Sequence, residues 1–116
     1  EMSLLDFAEK VKHDFGIPDV RVYGDPNQMI KTVSVSSGSG KSMVSSALMQ
    51  KADVLVTGDI DYHTGIDAKA QGLAVIDAGH YGTEYGFIAY MKQELGKMFP
   101  DRQIGTAEIC QPYQIL

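Results

Sequence analysis

Leu73-Ala74-Val75-Ile76-Asp77-Ala78-Gly79-His80-Tyr81-Gly82-Thr83-Glu84 reads as a strand handing over to a helix. Its first four residues are a short apolar run of strand type. Beyond it Phe87, Ile88, Met91, Leu95 and Met98 recur at helical spacing. His80 and Glu84 stand four residues apart. If the helix begins at or just after His80, both side chains lie on one face and can reach one cation. Donors placed there sit at the carboxyl end of a strand, where open α/β sheets hold their sites.

Upstream, Asp53-Val54-Leu55-Val56 is a near-continuous apolar strand ended by Thr57-Gly58-Asp59, and residues 60–71 are helix-compatible up to Gly72. Strand, helix, strand, helix implies a parallel central sheet with right-handed crossovers. Residues 30–36, with Val33 and Val35 alternating, read as a strand pairing antiparallel with a strand at 20–23 across the turn Gly24-Asp25-Pro26-Asn27. Ser3 and Asp6 resemble a capping box, so Leu4, Phe7, Ala8, Val11 and Phe15 define a first helix over 4–15. A helix containing Met43, Val44, Ala47 and Leu48 follows Ser42, and the longest helix spans 83–99 before Pro100. Ile104, Thr106, Glu108 and Cys110 alternate as a final strand. The expected fold is a single α/β domain over 1–116: a three-layer sandwich with a mixed, mainly parallel sheet flanked by helices.

The formal net charge of −5 disfavours binding to a nucleic-acid backbone and suits a cation. The single cysteine, Cys110, forms no intrachain disulfide. No apolar run reaches the length of a membrane span, and no charged-then-apolar export signal opens the chain. A cytoplasmic location is expected. Because the sequence begins Glu1-Met2-Ser3, it is expected to be a piece of a longer protein.

Each candidate residue has two readings. His80 and Glu84 suit Zn, Fe, Mn or Ni without selecting one; alternatively His80 caps the helix and Glu84 meets its positive end. Asp77 could accept the other ring N–H of His80, as metal-bound histidines require, or be a strand-end turn residue. Asp59 and His63 are again four apart, with Asp61 between them; the alternative is a capped helix start with a partly exposed His63. Gly38-Ser39-Gly40-Lys41-Ser42 suggests a phosphate loop, yet Val35 stands where that motif needs its first glycine. It is then a tight strand-to-helix turn, or an anion site on free helix amides. His13 reads as a solvated helix residue, and Met43, Met49, Met91 and Met98 as core or interface filler.

Ala52 to Asp59, His63, Val75 to Tyr81 and Glu84, with Val20-Arg21-Val22 and the Gly38-Ser39-Gly40 loop upstream, resemble the C-terminal half of the Nif-three-like family, also called GTP cyclohydrolase 1 type 2 homologues. The resemblance runs from Leu4 to Pro112. It implies a site for two divalent metal ions between two related α/β halves, a toroidal homohexamer, and opening of the guanine ring of GTP by activated water. His80 and Glu84 match the two ligands of the C-terminal half. Asp59 and His63 fall where the cleft is lined, in roles of orientation or proton transfer. The family's His-His pair is absent from this sequence. The remaining ligands are therefore expected from a missing N-terminal half, and this piece is expected to be inactive alone. Two other functions are weighed: a non-catalytic oligomerisation or binding module, and a nucleotide binder through Gly38 to Ser42.

Overall fold

The computed structural model describes residues 1–114. In chain order the elements are β1 (Met2–Ser3), α1 (Leu4–Phe15), β2 (Arg21–Tyr23), β3 (Met29–Ile30), β4 (Val33–Ser39), a 3-10 turn (Lys41–Met43), α2 (Val44–Met49), β5 (Val54–Gly58), α3 (Tyr62–Ala70), β6 (Ala74–Asp77), α4 (His80–Glu84) and α5 (Gly86–Met98). Four strands form the main sheet in the order β2-β6-β5-β4. β4, β5 and β6 run parallel, and β2 is antiparallel to β6. The mixed, mainly parallel three-layer sandwich follows from the two faces of β5 and β6. Val54, Val56, Ala74 and Ile76 pack against Leu4, Ala8 and Val11 of α1. Leu55 and Val75 face the opposite way, onto Ala47 of α2 and Ala68 of α3. Burial on both faces is why these strands read as continuous apolar runs.

α1 starts as the sequence indicates: Ser3 Oγ accepts from Asp6 N at 3.1 Å, satisfying one free amide of the first turn. The expected hairpin between 20–23 and 30–36 is not formed. Leu4 N and Leu5 N take the carbonyls of Gln28 and Pro26, so the turn feeds the short β1–β3 pair instead. Asp53 Oδ2 then accepts from Lys31 N, Thr32 N and Thr32 Oγ1 at 2.8–2.9 Å, which fixes the start of β4 beside β5. β2 is left to pair with β6, Arg21 opposite Asp77.

Three further expectations are corrected. The helix over 83–99 begins at His80 and is divided at Tyr85 into α4 and α5. The strand over 104–110 is absent, because the alternating residues reach no sheet edge and stay largely exposed. Met43, Met49 and Met98 lie on the surface, outside both core clusters. α5 buries none of its residues and leaves Phe87 and Tyr90 in solvent. The radius of gyration of 16.1 Å accordingly exceeds the value of about 13 Å expected for a compact chain of this length.

Candidate functional site

β5 and β6 end side by side, and their carboxyl ends carry Asp59 and His80. Ala78 N donates to Thr57 O at 2.7 Å, holding the two exits together. Gly58 lies against the Gly79–His80 peptide: a Cβ there would come within 2.5–2.7 Å of that backbone. Only a glycine permits this approach. The next residue, Asp59, takes a left-handed φ of 55° and turns its carboxylate toward the first residue of α4.

Asp59 Oδ2 lies 2.7 Å from His80 Nδ1. A carboxylate on Nδ1 makes that nitrogen the donor and leaves Nε2 to accept or ligate. Nε2 faces Glu84 Oε2 at 3.3 Å across one helical turn. Asp59 first, and the charge of Glu84 second, push the His80 pKa up from its ordinary value. All three side chains are about half exposed, so a ligand reaches them directly.

The third wall is backbone. The β4 register shifts between Val35 and Ser39, and the displaced segment carries Gly38, at φ 65°, up to the pair. A Cβ on Gly38 would lie 2.6 Å from Glu84 Oε1 and 3.3 Å from His80 Nε2. Gly38 N donates to Thr83 Oγ1 at 2.8 Å, and that hydroxyl donates to His80 O at 2.8 Å. A groove of about 680 Å³ opens beside Glu84, walled by Ser37, Tyr81, Tyr85, Phe87 and Tyr90.

The sequence candidates separate here. Asp59, His80 and Glu84 come together. His63 does not join them: it sits exposed on the first turn of α3, edge-on to Tyr62 at 5.5 Å, and no hydrogen bond or ion pair links it to the trio among the described residues. The cap of α3 is Asp61, not Asp59. It accepts from Thr64 N at 2.9 Å and pairs with Lys41 at 2.6 Å, and these contacts, Lys41 foremost, hold its carboxyl well below the usual range. Asp77 does not accept from the ring of His80, a place Asp59 takes; it accepts from the backbone of both loops instead. His80 makes no side-chain cap to α4. Missed in the sequence were Thr83 and the approach of Gly38, whose partners lie 45 residues apart; a glycine needing positive φ beside a bulge was the available signal.

Two donors 3.3 Å apart suit a shared cation with bonds of about 2 Å to each. Among the described residues, however, no group of three His, Cys, Asp or Glu is arranged to hold one. The corner brings together two donor side chains, His80 and Glu84.

The fold and this corner define a class: an α/β sandwich that presents a His and a carboxylate one helical turn apart at the carboxyl edge of a parallel sheet. Residues 1–112 match Duf34/NIF3 (NGG1p interacting factor 3), and the chain belongs to that family. It is 41% identical over 104 residues to a GTP cyclohydrolase 1 type 2 homolog of Staphylococcus aureus, covering 90% of this chain and 28% of that protein. The crystal structure of a Staphylococcus aureus hypothetical protein superposes with TM-score 0.87 at 38% identity, over 99% of this chain and 40% of that one. A Bacillus cereus protein related to NIF3 gives 0.83 at 28% identity, over 99% and 33%. The chain thus spans less than a third of the length of the curated relative. Among the described residues no helix is long and apolar enough to cross a membrane.

Proposed function

We propose that this chain supplies the His80–Glu84 half of a divalent-metal site, two ions per intact site, in a metal-dependent hydrolase of the GTP cyclohydrolase 1 type 2 homologue kind. The observation that carries the reading is the pairing of a free Nε2 with a carboxylate oxygen at 3.3 Å, while Asp59 holds the opposite ring nitrogen at 2.7 Å. Orientation of a ligating imidazole by a carboxylate is the usual support of a metal site. Two donors retain a cation poorly, so the other ligands come from a segment outside this chain or from a second copy in a homo-oligomer. Zn, Fe, Mn and Ni all suit the donors.

When bound, the metals would lower the pKa of water and clamp the oxygens of the group under attack. His80 and Glu84 would hold one ion. Asp59 keeps the Nδ1 proton in place, and Gly38 leaves room in front of both donors. The groove of Tyr81, Tyr85 and Tyr90 beside Glu84 has rings able to stack on a planar base, which supports a nucleotide such as GTP as substrate. His63, exposed on α3, would act on a substrate or segment that reaches that helix. Metal content of the whole protein purified without chelator, measured again for His80→Ala, tests the reading. Metal near stoichiometric in the first and lost in the second is expected; metal absent from the first, or unchanged in the second, refutes it.

The bare aromatic surface of α5 favours a second reading, a non-catalytic module for assembly. Elution of the whole protein as a monomer removes it.

A further inference from the structure

Among the described residues Asp77 is the one buried carboxylate at this edge of the sheet, with its side chain 3% exposed. Its two oxygens are shared between the two loops that carry the site. Oδ2 accepts from Ile60 N at 3.1 Å, the amide immediately after Asp59. Oδ1 accepts from Gly79 N at 3.0 Å, the amide immediately before His80. Arg21 Nη2, 3.3 Å from Oδ2, supplies the countercharge from β2. A carboxylate removed from water is tolerated only where donors or countercharge replace its hydration, and here two backbone amides donate to it.

We propose that Asp77 is a positioning residue of the Asp59–His80–Glu84 corner, acting through the backbone of both loops and touching none of the three side chains. Asp59 occupies a left-handed conformation that the Cβ of a non-glycine residue disfavours. The bond from Ile60 N holds it there. The bond from Gly79 N fixes where α4 starts, and so where the imidazole of His80 stands relative to Asp59 Oδ2. One carboxylate thereby sets the 2.7 Å contact between residues that come from different strands.

Asparagine cannot replace it. With its oxygen on Gly79 N, its NH₂ faces Ile60 N and Arg21; turned round, its NH₂ faces Gly79 N, donor against donor in either case. One loop is released in either orientation. Arg21→Ala is the contrasting change: its side chain is 65% exposed, and both backbone bonds to Asp77 survive its loss.

The inference rests on the cation reading for its metal readout alone, so two measurements are paired. The ¹⁵N spectrum of the His80 ring in metal-free protein reports the Asp59 contact. Mn²⁺ titration of the whole protein reports the corner. In Asp77→Asn the ring should lose its fixed Nδ1–H tautomer, and Mn²⁺ affinity should fall about tenfold or more, the usual effect of removing a ligand's support; Arg21→Ala should keep the wild-type spectrum. An unchanged His80 spectrum in folded Asp77→Asn overturns the proposal. If wild type binds no Mn²⁺ while Asp77→Asn still shifts the ring, the cation reading fails and the positioning role stands. Should Asp77→Asn not fold, amide exchange in the wild type decides: slow exchange at both Ile60 and Gly79 is expected, and fast exchange at either overturns the role.

Discussion

Gly38→Ala puts a methyl group into the mouth of the His80–Glu84 corner. The added carbon would stand 2.6 Å from Glu84 Oε1 and 3.3 Å from His80 Nε2. Stability loses two contributions. Alanine at φ 65° costs about 1 kcal/mol, and moving the half-exposed end of Glu84 to another rotamer adds at most about 1 kcal/mol. A total of about 1–2 kcal/mol lowers Tm by about 5–10 °C in a domain of this size, so the fold survives. Binding suffers as well, because the methyl fills the space in front of the donors and drives the carboxylate away from Nε2. Mn²⁺ affinity of the whole protein should drop at least about tenfold, or about 1.4 kcal/mol. Thermal melting followed by circular dichroism and Mn²⁺ titration on the same sample read both numbers. Gly105→Ala is the control, since a Cβ there meets nothing within 4 Å. Wild-type Mn²⁺ affinity in a folded Gly38→Ala protein would refute the claim that the corner faces Gly38 when it binds.

Gly58→Ala should be harsher on the fold, since its methyl meets the Gly79–His80 backbone; an overpacking cost of about 3 kcal/mol predicts a Tm lower by more than 10 °C, and a shift of a degree or two would contradict the close approach. Asp53→Ala removes the acceptor of three hydrogen bonds to Lys31 and Thr32, for a loss of about 2 kcal/mol by urea unfolding. The bonds from Thr32 and Lys31 lower the Asp53 pKa, so its contribution is complete above the ordinary carboxylate value and disappears as pH falls through the lower, folded one; a wild-type acid limb that Asp53→Ala reproduces unchanged would refute that. The His80 pKa is raised, by Asp59 first and Glu84 second, so a proton competes with a cation at higher pH than at a free imidazole. The Mn²⁺ dissociation constant should rise as pH falls through that raised value, and a constant that stays level down to about 6.5, the ordinary imidazole value, would argue against His80 as the ligand. Lys41→Ala should leave nucleotide affinity unchanged and barely move Tm, because the Lys41–Asp61 pair is exposed and screened by solvent; a large loss of affinity would restore the phosphate-loop reading.

What could be read from the sequence was what short range determines. The cap at Ser3 and the spacing of Leu4, Ala8 and Val11 fix α1 locally, and the apolar runs of β5 and β6 are obligatory for strands covered on both faces. His80 and Glu84 were legible because helical geometry places residues four apart on one face. What failed depends on partners distant in sequence. The turn chemistry at 24–27 is genuine, but whether β2 continues into a hairpin is settled by Leu4 and Leu5 claiming its carbonyls and by Asp53 pinning Thr32. Alternation at 104–110 is a strand pattern with no sheet edge to join. Which of Asp59 and Asp77 takes the ring of His80 was hidden for the same reason: Asp59 reaches that ring from another strand, 21 residues away, and Asp77 reaches Ile60 N, 17 residues away.

The glycines of the 38–42 segment have a packing explanation. Gly38 N is taken by Thr83 Oγ1 and Gly40 N by Gly58 O. A Cβ on Gly40 would collide with the Thr57 side chain, so this residue lets β4 close upon β5, as Gly58 lets β5 close upon the start of α4. Three strand ends are thereby drawn to one point, and His80 stands at it. The loop that resembles a phosphate cradle is the floor of the His80 corner, which ties the glycine-rich segment and the Gly-His-x-x-x-Glu segment to one site although some forty residues separate them. A cation entering that corner would meet α4 through His80 and Glu84 and face Gly38 of β4, with the end of β5 linked to it through Asp59 on the opposite ring nitrogen, and the loops there would tighten with it. The metal-binding reading therefore carries a structural consequence: occupancy should protect the amides of Gly38, Ile60 and Gly79 as a group, because the same three segments hold the donors in place.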